Sequence, residues 1–438
     1  MRTTLYLLMC AAVVAGVNRP AFAGQEAPAA APAETAAPAA TPSGTPASEA
    51  VTRSSLLAAA RDQKGLEAEP MKRGNVEKGL YWYDNQYLLP KIFGKWKGIH
   101  IGGGGFPAGA GTKFGVAYDH AIGSEENPGR ANRFDVNGVA ARSTRGYQRY
   151  GGGLTMRHIG GSAIDARVWG QKFEFPQEDL FGIGQSSSRD ERTNYLHEST
   201  EVGTELRWSP ATMVSFTGGV AYLQPKIGSG TDSRFPSTET RFTEATLPGL
   251  TAQPDFLRTD LGAALELRDN PLHPHAGGRY AVTLSNYDDR TLGAYAFRSV
   301  TMDAQHYVPL PNKYRVVALH AAVVMTDADA GQQVPFYYQP TLGGSQQLRG
   351  FREFRFRDQN SLVMSAEYRW EASWMLDAAV FVDAGKVAAT RSDLNLRDLA
   401  TSYGVGLRLH SNSAFVARLD LAFSREGFIP LLRFEHVF

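Results

Sequence analysis

The sequence has almost no cysteine, almost no net charge and no long apolar run. Of 438 residues one is cysteine, Cys10, and 45 lysines and arginines nearly balance 44 aspartates and glutamates. Because nucleic-acid binding normally needs a clear basic excess, this balance excludes nucleic acid as an expected partner. No stretch approaches the roughly 20 apolar residues of a membrane-spanning helix, which excludes an α-helical membrane protein. Membrane-spanning strands stay open, because alternation hides their apolar face from hydropathy averages.

Residues 1–23 have the pattern of a signal peptide. Arg2 supplies the positive charge, residues 5–17 form the apolar stretch, and Ala21-Phe22-Ala23 form a small-x-small cleavage site. A lipoprotein signal ending at Cys10 is the alternative, and the large Met9 before that cysteine disfavours it. Cleavage after Ala23 removes the cysteine, so we expect an exported chain without disulfides, a catalytic thiol or cysteine metal ligands.

The rest of the chain divides into a tether and a domain. Residues 24–78 begin with a low-complexity run of Ala, Pro, Thr, Ser and Glu, which buries too little apolar area to offset the entropy of ordering. We expect a flexible periplasmic tether there, with a short helix over residues 48–61. From residue 79 to residue 438 the composition changes to segments of about ten residues separated by Gly, Asn, Asp and Pro, as expected for strands and turns.

Alternation within these segments indicates the fold class. Near the C-terminus Leu419, Leu421 and Phe423 share one face of a strand, and Arg418 and Asp420 share the other. Such a pattern suits a β-sandwich or a membrane barrel, and the export signal and missing disulfides favour the barrel. We therefore predict an all-β, transmembrane antiparallel β-barrel. About 360 residues at about 22 per strand and connection predict about 16 strands.

A long connection between a strand ending near Met325 and one starting near Ser361 is rich in glycine and aromatic residues. We expect it to fold into the barrel lumen, where its Arg349 would need acidic partners. Strand parity places Glu367 on the inner face of the next strand, and Phe381 and Asp383 on the inner face of the strand after it, about 4.8 Å away. The hypothesis is that both carboxylates clamp Arg349; unrelated, solvated lumen charges are the alternative.

The same connection carries a family resemblance. Leu348-Arg349-Gly350-Phe351 resembles the Val-Arg-Gly-Phe/Tyr motif of the BamA/TamA-type outer-membrane assembly superfamily, also called the bacterial surface antigen family, with Leu in place of Val. Glu367 resembles the acidic strand residue that follows, and residues 381–385, which include Phe381, Asp383 and Gly385, resemble the family's Phe-x-Asp-x-Gly strand. Residues 269–278 and 181–184 are weaker matches. The resemblance covers about residues 80–438.

The resemblance implies a Gram-negative outer-membrane protein that inserts or translocates proteins or lipids. Members that insert or secrete proteins carry periplasmic modules before the barrel, and this sequence resembles the branch without them. The implied partners are outer-membrane lipids, the barrel assembly machinery during biogenesis and a separate periplasmic protein that delivers clients. The last strand, with Leu432, Phe434 and Phe438 on one face, is similar to the assembly recognition signal, from which His436 departs.

No pattern indicates a catalytic, cofactor or metal site. The glycine runs 102–105 and 151–153 lack the Gly-Lys-Ser/Thr of a phosphate loop, and close packing at strand ends explains them better. His273 and His275 share a turn, but no third metal ligand is evident. His410 and Ser411 are adjacent on a strand, so their side chains point apart and do not form a base and nucleophile. We expect no enzyme.

The sequence is therefore compatible with three functions. The first is protein or lipid handling, for which a weak seam between the first and last strands would let a client strand add to an exposed edge. Residues 102–105 would weaken that seam, since glycines destabilise strands; relief of crowding is the alternative explanation for them. The second function is a passive, porin-like channel, which an inward loop should block. The third is an outer-membrane phospholipase.

Overall fold

The computed structural model describes residues 98–101, 105–107, 109–123, 133–311, 315–373, 376–410 and 415–433. The predicted signal peptide, the tether over 24–78, and Phe434 and Phe438 of the predicted assembly signal lie outside the described residues. Among those described, no helix has the length and apolar character needed to cross a membrane.

The described chain forms an antiparallel sheet of sixteen strands, each paired with the next along the chain, with β11 beside β14. A separate two-stranded ribbon pairs β12 with β13. The strands are β1 (Ile99–Ile101), β2 (Lys113–Ile122), β3 (Arg133–Ser143), β4 (Gln148–Arg157), β5 (Ile164–Leu180), β6 (Thr193–Ala211), β7 (Val214–Ser229), β8 (Phe256–Glu266), β9 (Gly277–Asp289), β10 (Phe297–Pro309), β11 (Arg315–Ala328), β12 (Thr341–Leu342), β13 (Phe356–Arg357), β14 (Asn360–Ser373), β15 (Leu376–Ala388), β16 (Ala400–His410), β17 (Phe415–Ser424) and β18 (Gly427–Arg433). The predicted all-β antiparallel barrel of about 16 strands is confirmed.

Five short 3₁₀ helices lie in the described connections. They are Ile159–Gly161, Arg189–Glu191, Thr238–Thr240, Phe336–Tyr338 and Arg391–Asp393.

The two faces of the sheet differ in chemistry, as the alternation predicts. On β16 and β17 the outward side chains of Tyr403 and Leu419 are 63% and 41% exposed, whereas the inward Arg418 and Asp420 are at most 1% exposed. Because side chains alternate along a strand, one period places apolar groups outside and charges inside. The wall is therefore apolar toward lipid, and its polar groups face the lumen.

The two ends of the barrel differ in the length of their connections. At one end, which we name the turn end, residues 212–213 join β6 to β7 and residues 267–276 join β8 to β9. At the other, the loop end, residues 230–255 join β7 to β8 and residues 329–359 join β11 to β14. The two longest connections between described strands are thus both at the loop end.

Residues 329–359, which we name the lumen loop, fold back into the barrel. Leu348, Phe351 and Phe356 of this loop are at most 1% exposed and pack against Val363 of β14 and Val387 of β15. An aromatic and aliphatic cluster of this kind excludes water from one side of the lumen. The prediction that this connection folds inward is confirmed.

Candidate functional site

Arg349 is the centre of the contacts between the lumen loop and the barrel wall. Its side chain is fully buried. Nε and Nη2 donate to Oδ2 and Oδ1 of Asp383 at 3.0 and 2.7 Å, and Nη1 donates to Oε2 of Glu367 at 2.6 Å. The backbone N–H of Arg349 also donates to Asp383 Oδ2 at 3.1 Å. Two parallel N–H donors on one carboxylate fix both the position and the orientation of the guanidinium.

Burial and charge act in opposite directions on this arginine. Burial alone lowers the pKa of the Arg349 guanidinium, but the carboxylates of Asp383 and Glu367 outweigh burial and hold that pKa above its usual value. The group is therefore permanently charged, and its stability inside the lumen depends on the acidic partners.

The ring of Phe381 in β15 packs against the guanidinium of Arg349. The centre of the Phe381 ring lies 3.4 Å from Cζ of Arg349, a cation–π contact. Below the ring, a Cβ added at Gly404 of β16 would lie 2.4 Å from Phe381 Cζ, so only glycine leaves room for this ring position. The sequence placed Phe381 on the inner face, but nothing in it indicated the role of Gly404.

The charges extend beyond the predicted clamp. Glu367 also accepts from Arg369 Nε at 2.8 Å and from Arg408 Nη2 at 2.7 Å, and Arg408 Nη1 donates to Asp420 at 2.5 Å. Arg418 contacts Asp420 at 3.3 Å. The sum is four arginines (Arg349, Arg369, Arg408 and Arg418) against three carboxylates (Glu367, Asp383 and Asp420), a formal charge of 4 − 3 = +1. We name these seven residues the lumen charge network.

Sequence parity placed Arg418 and Asp420 on the inner face, but no pattern connected them, or Arg408, to Arg349. Each lies on β16 or β17, one or two strands beyond Asp383. Their connection depends on how deeply the lumen loop enters the barrel, which no strand pattern specifies.

Gly350 follows Arg349 where the loop lies closest to the wall. A Cβ there would lie 2.7 Å from Ser402 Cβ and 2.8 Å from Phe423 O, so any larger residue would push the loop away. The carbonyl oxygen of Gly350 accepts from Ser424 Oγ at 2.6 Å. Gly385 is similarly crowded, with Leu348 Cδ1 at 3.3 Å from its added Cβ. Both glycines permit close packing rather than an unusual backbone angle.

The loop also contacts β17 and the last described strand. Arg418 Nη2 of β17 donates to the carbonyl oxygen of Ser345 at 2.7 Å, and Arg433 Nε of β18 donates to Ser345 Oγ at 2.9 Å. Hydrogen bonds join the loop to β14, β15, β17 and β18, and Gly350 packs against Ser402 of β16. It therefore braces the C-terminal wall from inside.

A second set of contacts holds the lumen loop in place near the loop end of the barrel. Arg355 donates to Glu426 Oε1 at 2.7 Å and to Ser187 O at 2.7 Å, and Arg357 Nη2 donates to Tyr195 Oη at 3.1 Å. Residues 181–184, singled out in the sequence, meet the lumen loop here, because Gly184 N donates to Arg357 O at 2.7 Å. These contacts join the lumen loop to β6, to the connection between β5 and β6, and to the turn between β17 and β18.

The chain matches a known family over more than half of its length. Residues 128–427 match the Omp85 superfamily domain. The chain belongs to the Omp85 superfamily. The predicted relationship to the BamA/TamA-type assembly proteins is confirmed, and with it the outer-membrane location. Omp85 membership also indicates a non-enzymatic protein, in agreement with the sequence analysis.

A solved structure has the same fold, and two further structures are similar to it. BamA from Haemophilus ducreyi lacking POTRA domains 1–3 matches with a TM-score of 0.52 and 15% identity, over 77% of this chain and 71% of that one. CdiB from Acinetobacter baumannii matches with a TM-score of 0.45 and 12% identity, and CdiB from Escherichia coli with 0.47 and 14%. These two matches cover 74% and 78% of this chain but 57% and 61% of the CdiB chains, less than two thirds of their length.

The other residues that the sequence analysis considered in this Omp85 barrel lie outside the lumen charge network. Leu432 is on the outer face of β18 and is 61% exposed. Ser411 lies outside the described residues. His273 and His275 lie in the β8–β9 turn, and this turn brings His273 to Asp377 of β15 and His410 of β16. No sequence pattern predicted this contact, since Asp377 is 104 residues from His273.

Proposed function

We propose that this Omp85 protein inserts or translocates proteins or lipids at the outer membrane, and that Arg349 holds the lumen loop in place for that task. The observation that carries the proposal is the full burial of Arg349 between Glu367 and Asp383. A buried, unpaired guanidinium or carboxylate costs several kcal/mol, so the three groups stabilise one position of the loop against all others.

The braced wall supports a role at its edge. The lumen loop contacts β18 through Arg433 and Ser345, while β1 has three described residues, Ile99–Ile101. Strand edges accept an added strand through their free N–H and C=O groups. We infer that the loop keeps β14–β18 in register while a client strand or lipid passes the seam between the first and last strands.

The remaining assignments are proposals of the same kind. Residues 1–23 direct export and are cleaved after Ala23, residues 24–78 form a periplasmic tether, and residues 79–438 form the barrel. Leu432, Phe434 and Phe438 are recognised by the barrel assembly machinery, which inserts the protein among outer-membrane lipids. A separate periplasmic protein delivers the client.

Depletion of the protein, followed by profiling of outer-membrane proteins and lipids together, tests the function. Selective loss of other barrels supports protein insertion, and altered lipid asymmetry supports lipid transport. An unchanged membrane contradicts both. Complementation with wild type should restore the profile, whereas Arg349→Ala should not. Arg391→Ala is the matched control, because Arg391 pairs with Asp327 on the exposed surface at 3.3 Å.

Single-channel recording separates this proposal from a porin-like channel. With the lumen loop in place, the wild-type protein should show no large steady conductance. Arg349→Ala should increase the frequency of open events, because the loop loses its charged attachment to β14 and β15. A large, steady wild-type conductance that Arg349→Ala leaves unchanged would favour the passive channel.

A further inference from the structure

Three ligating side chains meet at the turn end of the barrel, away from the lumen charge network's arginine clamp. His273 Nε2 lies 3.1 Å from Asp377 Oδ2, and His410 Nε2 lies 3.1 Å from Asp377 Oδ1. The two imidazole rings are 4.3 Å apart, centre to centre, and 30° from parallel. One ligating atom from each residue can be chosen so that all three lie within 4.8 Å of one another.

The three residues come from distant parts of the fold. His273 belongs to the β8–β9 turn, whereas Asp377 begins β15 and His410 ends β16. Strands β10, β11 and β14 separate β9 from β15 in the sheet, so the turn reaches past the ends of three strands to contact β15 and β16. All three side chains are nearly buried, with exposures of 12%, 8% and 7%.

The turn holds His273 in place by its own hydrogen bonds. The carboxylate of Asp269 accepts from the backbone N–H groups of Asn270, His275 and Ala276 at 2.9–3.1 Å. A Cβ added at Gly277 would lie 1.9 Å from Leu267 O, so the chain can close the turn only with glycine at this positive φ of 85°. The turn's own hydrogen bonds therefore fix the backbone that carries His273.

We propose that His273, Asp377 and His410 form a binding site for a divalent transition-metal ion of the zinc class, which fastens the β8–β9 turn to β15 and β16. Two imidazoles and one carboxylate are a ligand set that Zn²⁺ accepts, with a fourth position for water or another side chain. His275, whose ring centre is 4.5 Å from that of His273, is one candidate for that position.

The distances fit this ion after small shifts. Metal–ligand bonds of about 2.0–2.1 Å in a tetrahedral site place the ligand atoms about 3.3–3.4 Å apart. The two N···O separations of 3.1 Å, each to a different oxygen of Asp377, are already close to that value, and a separation within the 4.8 Å limit must contract by at most about 1.4 Å. Rotation of one imidazole accomplishes a contraction of this size.

The surroundings also suit one small cation. A cavity of about 10 Å³, near the size of a single water site, lies beside His273 and Asp377. Arg369 and Glu371 also line it, together with His273, His275 and Asp377. With neutral imidazoles the formal charge of this lining is +1 − 2 = −1, and the Arg369 guanidinium is already bound to Glu367 at 2.8 Å.

Zinc binding to the full chain, purified in detergent without a histidine tag and stripped with a chelator, tests the site. Equilibrium dialysis against ZnCl₂ should give one equivalent per chain that His273→Gln and Asp377→Asn each weaken at least tenfold. His306→Gln is the matched control, since His306 contacts Tyr280 and is exposed, and it should bind as wild type does. Absence of zinc from wild type, or equal binding by the His273 and Asp377 variants, would overturn the proposal.

Two further measurements show whether a variant loses zinc binding because a ligand is missing or because the protein is misfolded. Co²⁺ in place of Zn²⁺ should give the visible spectrum of a tetrahedral site in wild type and not in His273→Gln. Zinc should also slow hydrogen exchange of residues 267–276 in wild type, and it should leave that exchange unchanged in the variant. Heat-modifiable gel migration shows whether each variant is folded. Because these readouts do not involve membrane assembly, they can succeed or fail independently of the proposed function.

Discussion

Strand β15 presents two inward aspartates, and connections from opposite ends of the barrel reach them. Asp383, near the middle of the strand, binds Arg349 of the lumen loop and is fully buried. Asp377, six residues earlier and about 20 Å away along the strand, contacts His273 of the β8–β9 turn and His410. One strand thus anchors a loop and a turn through the same side-chain type.

The difference lies in the partner. An arginine is always charged and presents a rigid, planar fork, so the Arg349–Asp383 attachment is permanent and specific in orientation. Imidazoles ligate metal ions, which a guanidinium does not do, so the proposed attachment at Asp377 changes with the ion that it binds. The barrel therefore combines a fixed attachment for the lumen loop with an adjustable one for the turn.

Removal of the arginine should have the largest effect on stability. Arg349→Ala leaves Glu367 and Asp383 without their shared cation, and we expect a loss of about 3–5 kcal/mol in the free energy of unfolding. Arg349→Lys should recover only part of this loss, because an ammonium group restores the positive charge but cannot form the paired contact with Asp383. Urea unfolding in lipid vesicles measures the free energy, and limited proteolysis within residues 329–359 reports release of the loop.

The control for that experiment is Arg391→Ala, which breaks an exposed pair and should change stability by at most about 1 kcal/mol. Equal effects of the two alanine variants would show that Arg349 does not hold the loop.

The same substitution at both aspartates compares them directly. Asp383→Asn removes a carboxylate from a buried, charged guanidinium and should cost about 3 kcal/mol. Asp377→Asn leaves an amide that can still contact His273 and His410, and it should cost about 1 kcal/mol without metal. Unfolding of both variants in chelator, side by side, measures the difference. A larger loss for Asp377→Asn would reverse the comparison.

A purely steric change separates packing from charge at the fixed attachment. Gly350→Ala introduces a methyl group 2.7–2.8 Å from Ser402 and Phe423 and should cost about 1–3 kcal/mol, with every charge retained. Gly218→Ala is the matched control, since its new Cβ would meet only Leu261 at 3.8 Å. Unchanged stability of Gly350→Ala would show that the loop does not lie tightly against β16 and β17.

The smallest expected effect is the coupling between the two attachments. Residues more than about 10 Å apart without shared partners usually act additively, so Arg349→Ala and Asp377→Asn together should deviate from the sum by less than about 0.5 kcal/mol. A double-mutant cycle measures the deviation. A larger coupling would point to Arg369, which binds Glu367 and also lines the cavity beside Asp377.

Alternation along the strands predicted much of the fixed attachment. Glu367, Phe381 and Asp383 lie on the inner faces of β14 and β15 because side-chain direction in a strand follows from a period of two residues. The glycine-rich, aromatic composition of the connection indicated an inward loop, and the carboxylate partners of Arg349 followed because an unpaired buried guanidinium is costly. These inferences need only local geometry and the chemistry of each side chain.

The sequence by itself determined which side chains face lipid and which face the lumen, since that depends on neighbours within one strand. Only the tertiary structure decided which inward groups meet. His273 approaches Asp377 across the barrel end, and Ser345 meets Arg433 of β18, because contacts across a lumen depend on barrel diameter and on the path of each loop. Neither quantity is encoded in the alternation of a single strand.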